Sequence, residues 1–76
     1  MSENKDLTNG ENFALAILNH EKNNLLVAKN LYNEVLKIDP NHIGALSNLG
    51  TVFNQLKDFQ KAINCYEKII SINPNF

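Results

Sequence analysis

The 76 residues predict an all-α fold, an α-solenoid of two stacked helix-turn-helix hairpins whose four helices run antiparallel to their neighbours. Three observations predict it. The chain superposes on itself at one stride: Ala28 and Ala62, Tyr32 and Tyr66, and Pro40 and Pro74 are each 34 positions apart (62 − 28, 66 − 32, 74 − 40), and Leu25, Val35, Leu36 and Ile38 meet Phe59, Ile69, Ile70 and Ile72 at the same offset. A constant period of about 20–50 residues marks supersecondary units that bury their apolar faces against one another. Within each unit the apolar residues recur at spacings of three and four, and no stretch alternates with period two, so strands are not expected. Finally, Ile-Asp-Pro-Asn at 38–41 returns as Ile-Asn-Pro-Asn at 72–75, which closes each unit on a helix-breaking ring.

Residues 1–8 lack periodicity and are expected to form a flexible lead-in. Thr8 and Glu11 have capping-box spacing, which starts a first helix near Asn9. This helix passes through Phe13, Ala14, Ile17, Leu18 and Glu21 and stops near Asn23 and Asn24. Asn24 then caps a second helix carrying Leu25, Ala28, Tyr32, Val35 and Leu36. Pro40 ends it, because proline restricts Asp39 and lacks a donor. A third helix opens near Asn41 or His42 and holds Leu46, Leu49, Gly50, Phe53 and Leu56. Lys57-Asp58 turns the chain, and Asp58 caps a fourth helix with Phe59, Ala62, Ile63, Tyr66, Ile69 and Ile70, which closes before Pro74.

Composition narrows the function classes. Seven basic residues against eight acidic ones leave no field to hold a polyanion, so nucleic-acid binding by phosphate neutralisation is not expected. The lone Cys65 reads as a small core residue, and no Cys/His cluster has metal-ligand spacing. His20 and His42 read as solvated side chains, and Lys57, Lys61 and Lys68 as an outer face. The carboxylates Glu11, Glu21, Glu34 and Glu67 are scattered, and no nucleophile triad or phosphate loop can be assembled. Neither catalysis nor a cofactor is therefore expected. No apolar run is long enough to span a membrane and residues 1–10 are polar, which points to a cytoplasmic setting.

At these residues both halves resemble tetratricopeptide repeats. The second, over 43–76, matches through Leu46, Leu49-Gly50, Phe53, Phe59, Ala62, Tyr66, Ile69 and Pro74. The first, over 9–42, matches through Ala28, Tyr32, Val35 and Pro40, but its leading helix departs: Asn12 stands for a large apolar residue, Asn19 for an aromatic and Ala16 for glycine. The resemblance implies a protein or peptide partner held on the concave surface formed by the leading helix of each pair.

On the third helix, Gly44, Ser47, Asn48, Thr51, Asn54 and Gln55 form an uncharged arc opposite the apolar one, suited to hydrogen bonding an extended backbone. The matching arc of the first helix holds Gly10, Phe13, Ala14, Ile17, His20 and Glu21. Phe13 and Ile17 there either anchor a ligand or turn into the core. Asn48, in a Ser-Asn-Leu-Gly run, is similar to a rung of the asparagine ladder in O-linked N-acetylglucosamine transferases, but Ala14 occupies the corresponding place in the first repeat. The lysine and asparagine of the clamp that binds chaperone tails are replaced by Phe13 and Ile17, so that mode is not expected.

Arrays usually carry three or more repeats with a polar cap. Ile63, Tyr66, Ile70 and Phe76 would face a further repeat, so the chain is expected either to be a piece of a longer array or to form a homo-oligomer through its last helix. Three functions follow: an interaction module, a substrate-targeting or scaffold segment of a larger protein such as a glycosyltransferase, or a self-assembling repeat unit.

Overall fold

The computed structural model describes residues 7–75, so most of the expected lead-in and Phe76 lie outside the described residues. The elements are α1 (Asn9–Glu21), α2 (Leu25–Ile38), α3 (Ile43–Gln55) and α4 (Phe59–Ile72). Four helices with no strand among the described residues give the expected all-α fold.

The helix ends repeat as faithfully as the apolar positions. At α1, Thr8 Oγ1 accepts from the Glu11 amide at 3.0 Å while the Thr8 amide donates to Glu11 Oε1 at 2.9 Å, completing the capping box. Both hairpin turns are Schellman motifs. The Asn24 and Asn23 amides reach back to the Asn19 and His20 carbonyls, and the Asp58 and Lys57 amides reach the Phe53 and Asn54 carbonyls. The motif needs a left-handed residue, which is Asn23 (φ 65°) in one turn and Lys57 (φ 64°) in the other. After α2 and α4 the chain extends at Asp39 and Asn73, each before a proline, and their carboxyl or amide oxygens accept from the Asn41 and Asn75 amides.

Two caps depart from the sequence reading. Asn24 does not cap α2 through its side chain; its Nδ2 donates to Asn19 Oδ1 at 3.1 Å instead. His42, expected in solvent, caps α3, its Nδ1 accepting from the Ala45 amide at 2.9 Å. Asp58 caps α4 as expected, with Oδ1 accepting from the Lys61 amide.

Each hairpin packs on itself, α1 on α2 and α3 on α4, and the hairpins join where α3 packs on α2 with a lighter contact to α1. Ala16, Ala28, Ala45 and Ala62 are buried where helices approach closely, and Tyr32, Val35 and Val52 are fully buried beside them. Leu46, Leu49, Phe53, Cys65 and Ile69 complete an interior without a buried polar or charged residue among the described residues. Gly50 has a specific reason to lack a side chain: a Cβ there would sit 2.6 Å from the Tyr66 ring. Tyr66 is therefore half-buried over α3 in its own hairpin.

Candidate interaction surface

The leading helices α1 and α3 lie side by side, and their facing side chains meet at both ends. At one end Phe13 of α1 packs on the His42 ring with centroids 4.5 Å apart and lies 6.1 Å from the Tyr32 ring. A Cβ at Gly44 would be 3.0 Å from the tip of the Phe13 ring, so Gly44 makes room for Phe13 rather than presenting a polar edge. Phe13 and Ile17 are both half-buried against the core, which places them between the two alternatives the sequence left open.

At the other end His20 spans the gap. Its Nε2 lies 2.7 Å from Gln55 Oε1 and its Nδ1 3.4 Å from the Tyr32 hydroxyl. In the tautomer with the proton on Nε2, that nitrogen donates to the Gln55 carbonyl oxygen and Nδ1 accepts from the tyrosine. His20 is thus a half-buried tie between α1 and α3, not a solvated side chain. Glu21, next along, is exposed at the end of α1.

Between these ends runs the uncharged row of α3. Ser47 and Asn48 are half-buried, while Thr51, Asn54 and Gln55 are exposed. Thr51 Oγ1 donates to the Ser47 carbonyl at 3.2 Å, and Asn54 Nδ2 donates to the Tyr66 hydroxyl at 3.4 Å. Asn48 bears on Tyr32. Burial raises the phenol's pKa above its ordinary 10.0; hydrogen bonding from Asn48 opposes the rise, and the charge of Glu21 adds a little to it. Burial likewise raises the Cys65 thiol. Lys61 is not simply an outer-face charge: its Nζ lies 3.6 Å from Asp58 Oδ2 and 5.8 Å from the centre of the Phe53 ring.

Two apolar surfaces lie at the ends of the stack. On α4, Phe59 (58%), Ile63 (47%) and Ile70 (57%) are exposed. Of the residues expected to mediate self-association, Ile63 and Ile70 are open, Tyr66 is half-buried, and Phe76 lies outside the described residues. At the opposite end a cleft of about 610 Å³ opens between α1 and α2, lined by Asn12, Leu15, Asn19, Val27, Leu31 and Ile38 among others. The cleft lies off the repeat pattern, which runs through Leu25, Ala28, Tyr32 and Val35. The signal was a second apolar set on α2, Val27, Leu31 and Ile38, spaced four and seven apart. No helix among the described residues is long and apolar enough to cross a membrane.

Comparison with known proteins agrees with this geometry. Tetratricopeptide repeat family models match residues 12–42 and 44–76 in tandem. The chain is 42% identical over 48 residues to the uncharacterized protein ycf37 of Pyropia yezoensis, and 37% identical over 46 residues to that of Porphyra purpurea. These matches cover 63% and 60% of the chain and 27% of each relative, so the chain spans about a quarter of the length of the curated relatives it matches.

Proposed function

For a chain that belongs to the tetratricopeptide repeat family, with two repeats in tandem, we propose a non-catalytic interaction module that binds an extended peptide or partner helix across α1 and α3. We take 9–42 and 43–76 as the two repeats, and the cytoplasm as the setting. Protein partners are the general expectation for such repeats. The finer reading is supported by one observation above the others: the uncharged α3 row runs beside α1 with Thr51, Asn54 and Gln55 exposed and Ser47 and Asn48 half-buried, while His20 is tied to Gln55 and Phe13 set against Gly44. Exposed amides and hydroxyls of this kind pair with a peptide backbone and carry no charge that would demand an ionic ligand.

Thr51→Arg tests this reading, because Thr51 is exposed and a bulky cation there obstructs the row without touching the core. A partner recovered from the source lysate by the wild type is expected to be lost with Thr51→Arg and kept with Ile70→Asp, which alters a different face. Equal recovery by wild type and Thr51→Arg would remove the α1–α3 assignment.

A second reading, self-association through α4, is favoured by the exposure of Phe59, Ile63 and Ile70 along one helix. An isolated exposed leucine means little, but three large apolar side chains on one helix face mark a contact surface.

A further inference from the structure

We propose that the cleft between α1 and α2 is the receptor for the α4 face of a second copy of this chain, so that copies associate head to tail. The inference rests on the α4 reading and supplies the surface that α4 would meet.

The internal repeat shows what each face accepts. The α4 residues Phe59, Ile63 and Ile70 stand 34 positions after Leu25, Lys29 and Leu36. In the first repeat, where α3 packs on α2, those three are half-buried, with Leu25 and Leu36 against the core. The cleft has the reciprocal history. In the second repeat Leu46, Leu49, Phe53 and Cys65 are buried; the first three stand on α3, the helix that packs on the first repeat, and Cys65 stands on α4 behind it. Thirty-four positions earlier stand Asn12, Leu15, Asn19 and Leu31, and all four line the cleft. Among the described residues, one end of the stack is thus the uncovered counterpart of the first repeat's joining face, and the other end is the uncovered counterpart of the second's.

The departures from strict repetition are complementary in volume. Asn12 and Asn19 are smaller than Leu46 and Phe53, which leaves room in the cleft, while on its α2 wall Val27 and Leu31 stand where the second repeat has Lys61 and Cys65, beside Ile38 and the carboxylate of Glu34. The α4 face has changed in the opposite direction, with Phe59 for Leu25 and Ile63 for Lys29. A bulkier, more apolar knob therefore faces a roomier hole, apolar at Leu15, Val27, Leu31 and Ile38 and polar at Asn12, Asn19 and Glu34. Two different patches meeting in this way form a heterologous contact, which extends by one copy, that is two repeats, at a time instead of closing as a dimer. The α1–α3 row takes no part and stays open in every copy.

Sedimentation velocity over a concentration series tests the proposal, using the full chain, Ile70→Asp and Val27→Glu, with circular dichroism confirming that each variant keeps its helix content. Both substituted residues are about half exposed. The wild type is expected to grow past the mass of a dimer, each variant alone to stay monomeric, and the two variants mixed to form a 1:1 pair, since each retains the face the other lacks. If Ile70→Asp abolishes association but Val27→Glu does not, α4 still self-associates and the cleft assignment falls. A wild type that stays monomeric overturns both readings. A wild type that stops at a dimer overturns the head-to-tail geometry.

Discussion

Tyr32 carries more of this molecule's organisation than any other side chain. It is fully buried, it lies against Phe13 and His20 from α1, and Asn48 of α3 bears on its hydroxyl. Its equivalent, Tyr66, is half-buried over Gly50 and bonded by Asn54. Identical residues at identical repeat positions thus differ in burial among the described residues, where α3 packs on α2 and no helix packs on the corresponding side of α4. The raised pKa of Tyr32 has a signed consequence. A group held neutral by the fold contributes stability that is fully present below its unfolded value of 10.0 and is lost as pH rises from there through the folded value. Unfolding midpoints measured across that alkaline window are expected to fall less steeply in Tyr32→Phe than in the wild type. The same variant should lose about 0.5–1.5 kcal/mol at neutral pH through the missing hydroxyl bonds.

At the scale of the helices, the termini were largely legible and the tertiary use of side chains was not. The capping box at Thr8, the prolines and the Asp58 cap follow from local chemistry that involves only neighbours in sequence, so the helix bounds could be read directly. His42 was missed as a cap because its ring nitrogen does a job usually done by Ser, Thr, Asn or Asp. The contacts of His20 and Gly44 escape a sequence reading for a different reason: each is defined by a partner on another helix, and periodicity within one helix carries no information about that partner. The turns permit a sharper test. Asparagine tolerates the left-handed region far better than lysine does, so the second turn carries a strain that the first avoids. Lys57→Gly is expected to raise stability by about 0.5–1 kcal/mol, read as a higher urea midpoint at unchanged slope.

For the whole molecule, connectivity between the elements sets the order in which they open. Among the described residues α2 is held on both sides, by α1 and α3, whereas α4 touches α3 alone. In a linear stack, stability is a sum of unit and neighbour contributions, so an element with one neighbour opens more cheaply than one with two. Amide hydrogen exchange is expected to release the α4 protons first and the α2 protons last. Uniform exchange across all four helices would show that the stack opens only as a whole. The buried sulfur of Cys65 sits on that loosely held helix, in surroundings that disfavour its reactive anion. An oxidant arriving from outside must therefore wait for α4 to lift away. Damage at this atom would record how often the last helix has let go, and would leave it unable to settle back as it was.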